Sequence, residues 1–438
     1  MAILSKDEAR DIMQKVVNMS GADFCEVNLS GSRGGNIRYA RNTVTTSGEE
    51  QNTSLSVQSS FGSKTGTSSV NEFDDESLRA AVERSEELAR LAPDNPEFME
   101  PMGPQEYGES QTFYESTANI QPDQRAQMAY DSITPSSAND LVSAGFLEDG
   151  AGFEALKNNK GLFAYNQSTE VEFSVTIRTK DGTGSGWVSR DYNDVNNLDT
   201  GSASQIAIDK SIGSRDAVAL EPGRYTVILE PHAVSGLLRY MLGAMNARTA
   251  DEGRSFMSKV GGGTRVGEQM FDERVNLYSD PFDENVPVTP FTGSGMPLEK
   301  TTWIENGVVK NLAYSRYWAK ENGVEPLPGP SNAIIPGGDK TTQQLIADTE
   351  RGILVTRTWY IRMVDPQSQL LTGLTRDGTF YIENGRIKNA VRNFRFNESP
   401  VIMLNNLEEL GRPMRTDGNM IPPMKIRDFT FSSLSDAV

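Results

Sequence analysis

One histidine, His232, and one cysteine, Cys25, occur in a chain of 438 residues. Within one chain they cannot make a Cys₄ or Cys₂His₂ zinc site, a disulfide, a His₂-carboxylate zinc site, or a Cys–His dyad backed by a second imidazole. Asp199-Thr200-Gly201 has the form of an aspartic-protease loop, but that reaction needs two such carboxylates sharing a proton. The favoured reading is an N-cap turn opening a helix over 201–212. Asp191, Asp194 and Asp199 could hold a hard cation through oxygen, yet they lack the central glycine and final glutamate of a calcium loop, so solvated acids are the default. The run from Gly261 to Gly267 could cradle a phosphate but joins no strand to a helix in a βαβ unit, and reads as a flexible loop. Ser255 and Lys259 have the makings of a Ser–Lys pair, or of two ordinary surface residues. His232 falls in the first turn of a helix, where packing is the commoner role and the helix N-terminus disfavours the charged imidazole.

The elements that must position these groups follow from periodicity. Ser5 with Glu8 forms a capping box, and Ala9, Ile12, Met13, Val16 and Val17 share a helical face that Gly21 is placed to end. Alternating strands are expected at Cys25–Leu29, Ile37–Tyr39 and Leu55–Val57, with glycines 34, 35, 48, 62 and 66 as turns. A second helix starts near Asp74–Asp75, buries Leu78, Ala81, Val82, Leu88 and Ala89, and stops before Pro93. A proline-rich connector spans 93–104, and a helix is expected over 124–133, interrupted at Thr134–Pro135. Strands at 141–147, 162–166, 171–177 and 186–189 precede the 201–212 helix, whose inner face is read as Ala203, Ile206 and Ala207. Glu221-Pro222-Gly223 marks a boundary. Beyond it come a strand at 225–229 and a helix opened by Pro231, with Ala233, Val234, Leu237, Leu238, Met241, Leu242 and Met245 inward. After Gly263 only strands and turns are expected, at 275–278, 301–305, 308–312, 352–363, 378–383 and 386–396. Asn306-Gly307 and Asn384-Gly385 supply hairpin turns. The expected fold is α+β in two domains: a helix and antiparallel-sheet domain over 1–220, and a strand-rich, barrel-like domain over 221–438.

Composition narrows the function. Forty-two Lys and Arg against 60 Asp and Glu give a net charge of −18, which opposes direct nucleic-acid binding. There is no apolar leader segment and no stretch of the length a membrane span requires. A cytoplasmic, water-soluble protein with no membrane contact is expected.

Four segments are similar to the TldD/PmbA family, labelled in older descriptions as modulators of DNA gyrase: PGRYTVILEPHAVSGLL from Pro222, FTGSGMP from Phe291, WIENGVVKNL from Trp303 and AVRNFRF from Ala390. The order of the N-terminal elements matches as well. TldD-like members of that family carry a His-Glu-x-x-x-His motif on the helix after the 225–229 strand, completed by a distant cysteine, to bind zinc. Here the resemblance puts Pro231 and Gly236 in the histidine slots and His232 in the glutamate slot. It therefore implies the PmbA/TldE-like, metal-free branch, with no catalytic residue and no metal or cofactor of its own. Zinc is expected only in a TldD-like catalytic partner. The implied role is a non-catalytic subunit of a metallopeptidase complex that degrades unfolded peptides or trims leader peptides, as a heterodimer with that partner or as a homodimer. His232 is then a candidate residue of the substrate channel. Two other readings stay open: a homodimeric hydrolase with a carboxylate metal site at Asp191, Asp194 and Asp199, with or without His232, and a binding module acting on DNA gyrase.

Overall fold

The computed structural model describes residues 3–435. Its first half is built on α1 (Lys6–Met19), β1 (Phe24–Ala40), β2 (Thr43–Phe61), β3 (Lys64–Val70), α2 (Asp75–Leu91), α3 (Glu115–Ala118), α4 (Pro122–Ala138), β4 (Leu141–Asn158), β5 (Phe163–Thr179), β6 (Ser185–Tyr192) and α5 (Thr200–Gly213). The six strands form one sheet in the order β3-β2-β1-β4-β5-β6, antiparallel throughout. Alternation explains its two faces. Cys25, Val27 and Leu29 meet α1 and α2 in one core, and Ile37 and Tyr39, further along the same face of β1, join a second core with α4 and α5. All four long helices therefore cover one face. The other face carries serines, asparagines, glycines and glutamates.

The strands are longer than the sequence suggests, because most of the glycines read as turns lie inside them. Gly34 and Gly35 pass straight through β1, where a Cβ on Gly35 would stand 2.0 Å from Arg125 Cζ and one on Gly34 2.6 Å from the Asp149 carbonyl. The space at Gly35 belongs to Arg125, buried on α4, which grips Asp149 on β4 through Nε (2.5 Å) and Nη2 (3.0 Å). Gly66 likewise lets β3 run under α2, with a Cβ 2.3 Å from the Ser85 carbonyl. Gly48 is an ordinary β2 position, and of the five only Gly62 turns the chain, at φ +58°. The β1–β2 turn falls instead at Arg41 and Asn42, both with positive φ, so short predicted strands merge into long ones.

Two helices also depart from expectation. The Ser5–Glu8 capping box forms as read, but α4 continues through Pro135 to Ala138, its face held by Ala129, Ser132, Ile133 and Ser136. Pro135 lies in the final turn, where one missing hydrogen bond is tolerated. In α5 the inner face is Ala203, Ala207 and Ile208, whereas Ile206 points outward at 37% exposure.

The second half comprises β7 (Gly223–Leu229), α6 (Pro231–Gly243), α7 (Ala247–Asp251), β8 (Leu277–Ser279), β9 (Thr301–Glu305), β10 (Val308–Val309), α8 (Arg316–Asn322), α9 (Thr342–Ala347), β11 (Arg351–Asp365), β12 (Leu370–Glu383), β13 (Arg386–Ala390), β14 (Phe394–Glu398), α10 (Pro400–Asn405), β15 (Leu407–Leu410), β16 (Met414–Thr416), β17 (Asn419–Ile421) and β18 (Met424–Leu434). Strands β11, β7, β18, β14 and β12 pair in that order, and β12 pairs back to β11, closing a five-stranded barrel. Phe394, Phe396, Phe429 and Phe431 stack in the adjoining core. The expected strand-and-turn run after Gly263 is interrupted by α8, α9 and α10. Their start signals were present in the sequence as Ser315, the Thr341–Gln344 capping box and Ser399 before Pro400. Asn306-Gly307 and Asn384-Gly385 do form hairpin turns with paired positive φ. Among the described residues no helix is long and apolar enough to cross a membrane.

Gly35→Ala forces the buried Arg125–Asp149 pair apart and is expected to lower unfolding stability by about 3 kcal/mol. Gly48→Ala, with nothing within 4 Å of the new methyl, should change it by less than about 0.5 kcal/mol. Urea melts of the two variants check the pair.

Candidate functional site

The uncovered face of the sheet meets the second half of the chain across a cleft of about 590 Å³. One wall is β1, β2, β4 and β5. The other is the β16–β17 hairpin with Pro287 and Val288. What seats the hairpin is Asp191 at the end of β6. Its carboxylate accepts from Arg415 Nε (2.8 Å) and from the backbone N–H groups of Asp417 and Gly418 (2.9 Å each). Asp417 and Gly418 both have positive φ, the geometry of a two-residue hairpin turn that aims its amides at one anion. Arg415 also donates to Asn193 Oδ1 (2.8 Å) and to the Asn285 carbonyl (2.6 Å).

His232 lies beside this clamp in the first turn of α6. Its ring sits edge-on to Trp187 of β6 at 4.7 Å, with Nε2 3.3 Å from the Ser189 carbonyl and Nδ1 3.6 Å from Asp417 Oδ1. Desolvation alone would push the Asp417 carboxyl up, but hydrogen bonds from His232 and Ser235 and the charges of His232 and Arg239 outweigh it, holding Asp417 below the ordinary carboxylate value. His232 is thus a packed histidine bridging the two halves of the chain at the edge of the cleft.

The carboxylates grouped by sequence are not grouped in space by function. Asp191 is the clamp. Asp194 accepts from Ser116 Oγ and Asn196 N. Asp199 caps α5 by accepting from Ser202 N, the N-cap role expected of it. Burial works against Asp194, yet its bonds to Ser116 and Asn196 hold it below the ordinary value, and Asp199 is lowered by its bonds to Ser202. Among the described residues, no group of three His, Cys, Asp or Glu side chains is placed to hold a metal ion. Ser255 Oγ donates to the Ala244 carbonyl while Lys259 pairs with Glu268, so they are not a nucleophile pair. Gly261, Gly262 and Gly263 form an open surface loop with positive φ. Cys25 is in the α1–α2 core, where burial pushes its thiol up to about 11.

Sequence reading missed the acidic floor of the cleft. Glu148 on β4, Glu172 on β5 and Asp191 on β6 stand directly opposite one another, with Glu170 and Glu50 nearby on the same face. Withdrawal from water pushes the Glu172 carboxyl up, and the negative charges of Glu170, Asp191, Asp417 and Glu148 push the same way. Glu148 is raised likewise, first by burial and then by Glu170, Glu50 and Asp149. The signal was there in charges and glycines alternating with apolar residues through 147–155 and 170–177.

Zinc, which the resemblance attaches to the helix after β7, does not fit here. Pro231 opens α6 without a donor. Gly236 faces β11 so closely that a Cβ would lie 2.6 Å from Thr358 Oγ1 and 3.3 Å from Ile361 Cδ1. A side chain at 236 would have to displace Thr358 and Ile361, His232 is engaged with Trp187, Ser189 and Asp417, and the second half of the chain has no cysteine.

Asp191→Ala strands Arg415 and two turn amides without their acceptor and should cost about 3 kcal/mol, read as a lower urea midpoint. Glu172→Gln should act oppositely. A carboxyl whose folded pKa is raised carries a penalty that is full above that pKa and gone below its unfolded value, near 4.3. The variant should be more stable at pH 7, by roughly 0.5 kcal/mol, and match the parent at about pH 4 and below.

The family description "PmbA/TldA metallopeptidase C-terminal domain" matches residues 222–433, and "PmbA/TldA metallopeptidase domain 1" matches residues 25–89. The fold is similar to the crystal structure of TldE from Thermococcus kodakarensis, with a TM-score of 0.87 over 96% of this chain and 100% of that one, at 19% identity. By sequence the chain is 24% identical over 298 residues to an uncharacterized protein of Methanocaldococcus jannaschii, covering 63% of this chain and 67% of that protein. It is 22% identical to the metalloprotease PmbA of Escherichia coli O157:H7, over 44% of this chain and 41% of that protein. The chain thus aligns with about two fifths of the length of the E. coli relative. Two family domains bracketing the cleft, matched in order and over most of the chain, lead to one conclusion: the chain belongs to the PmbA/TldD family.

Proposed function

We propose that this chain is a TldE-like, non-catalytic subunit of a two-chain metallopeptidase whose zinc is carried by a TldD-like partner, the assembly acting on unfolded or leader peptides in the cytoplasm. The observation that carries the reading is the helix α6. By the resemblance it takes the place of the family's zinc helix, directly after β7, and the ligand slots then hold Pro231 and Gly236, the second with the Thr358 and Ile361 side chains packed close against it. A helix kept in place without its donors fits a chain that supplies walls to a site rather than the metal.

The cleft supports the same role. Its floor is a polar sheet face with serines and glycines on β1 and β4, where an extended peptide can lie close to the backbone. His232 stands next to Asp417, which lines the cleft. The carboxylate-hydrolase alternative has no comparable support, since Asp191, Asp194 and Asp199 each serve a separate structural bond.

The test is co-expression with a TldD-like metallopeptidase. The two chains should co-purify, and cleavage of an unfolded peptide by the partner should rise at least about tenfold over the partner alone, with no cleavage by this chain alone. Failure to co-purify, together with unchanged partner activity, would reject the reading.

A further inference from the structure

Strand β11 outruns the barrel. Its pairing with β7 ends at Val355, while its pairing with β12 continues to Asp365. On the way it is irregular between Trp359 and Arg362, and within that bulge Tyr360 takes φ +52°, the only aromatic residue with positive φ among the described residues. A bulky residue held there is strained, and a bulge re-aims the side chains around it. Trp359 and Tyr360 are left 44% and 61% exposed.

Two arginines meet at this bulge. Arg362 stacks on Tyr360 at 4.4 Å from the ring centroid and donates through Nη1 to the Ile361 carbonyl (3.0 Å). The same carbonyl accepts from the Tyr240 hydroxyl of α6 (2.9 Å). Arg239 lies over the Tyr240 ring at 5.1 Å, with Nη2 3.5 Å from that hydroxyl. Helix α6 and strand β11 thus bring two guanidiniums, each backed by a tyrosine ring, to one Tyr240–Ile361 hydrogen bond. Both arginines are exposed, and neither has a carboxylate within ion-pair distance among the described residues. The neighbouring acids are engaged. Asp417, whose charge Arg239 meets only through space, accepts from Ser235 and faces His232. Asp365 accepts from the Gln367 and Ser368 amides. Arg357, which stacks on Trp359 at 5.0 Å, is by contrast already paired with the buried Asp377.

An unpaired guanidinium keeps its planar fork of donors for an incoming carboxylate, and a ring beneath it fixes the plane of the fork. The rings here are exposed rather than enclosed, which suits a flexible chain laid across them better than a small molecule buried among them. Carboxylates of one such chain can engage both forks while the residues between them lie on Trp359 and Tyr360. The net charge of −18 opposes this only at long range, because at physiological ionic strength charges beyond about 8 Å are largely screened.

We propose that Arg239 and Arg362, with Tyr360 and Trp359, bind an acidic segment of a flexible polypeptide, its carboxylates taking the two guanidiniums. The site stands apart from the peptidase reading, because it needs neither a partner chain nor zinc.

Fluorescence anisotropy of a short labelled Gly-Ser peptide carrying a run of glutamates, titrated with the full chain at physiological salt, tests it. Wild type should bind, and Arg362→Gln or Arg239→Gln should each raise Kd at least about tenfold. Tyr360→Gly removes the ring at a φ that glycine adopts freely, so binding should weaken likewise while thermal unfolding stays unchanged. Arg84→Gln makes the same charge change on the exposed side of α2 and should leave Kd within about twofold. No binding by wild type, an equal loss with Arg84→Gln, or an unchanged Kd in Arg362→Gln and Tyr360→Gly would overturn the proposal. Any of these would leave the subunit reading standing, because that reading is decided by co-purification with a TldD-like chain.

Discussion

The β16–β17 hairpin is seated against the sheet by a single carboxylate. Asp191 ends the edge strand β6, and its two oxygens take up a guanidinium and both amides of the Asp417–Gly418 turn. A backbone turn with two positive φ angles concentrates N–H groups on one side and is a weak anion site in water. Filling it from another domain, where solvent is largely displaced, makes the bond directional and strong. The position of the hairpin then fixes Asp417, which faces His232 at 3.6 Å and lines the cleft.

The sheet itself is shaped by a conflict between close approach and charge. Arg125 crosses beneath β1 to reach Asp149 only because position 35 lacks a side chain. On the opposite face, Glu148, Glu172 and Asp191 are brought side by side by the antiparallel register. The register cannot slip by one residue to separate them, since that would turn Phe173, Val175 and Ile177 out of the helix-covered core. Burial on one face thus imposes like-charge proximity on the other. Asp191 is partly relieved by Arg415, but Glu148 and Glu172 are not, and their raised carboxyls record the cost.

Much of this was legible from the residues. The Ser5–Glu8 box, the Asp199 cap and both Asn-Gly hairpins are local signals, complete within four residues, and all form as read. The α+β class and the barrel-like second half followed from alternation and from the family resemblance. What was not legible depends on contacts far apart in sequence. Glycines 35 and 66 look like turns because a one-dimensional reading cannot see Arg125 or α2 pressing on the strand, and Gly34 because it cannot see the Asp149 carbonyl of β4. Asp191 looked like one of three metal-ligand candidates because its partners are more than 200 residues away. The short helices α8, α9 and α10 carried visible caps, and the strand-rich surroundings outweighed them.

Helix α6 is held by its core rather than by a site. Ala233, Val234, Leu237, Leu238 and Met241 are buried on it, and none of that packing draws on a donor at 231, 232 or 236. The lack of a side chain at Gly236 has its own use: Thr358 of β11 comes close enough to donate to the Ala233 carbonyl at 3.3 Å, and its Oγ1 would lie 2.6 Å from a Cβ at 236. A larger residue there would have to turn the Thr358 and Ile361 side chains aside and give up that hydrogen bond, so packing against β11 favours glycine at this place.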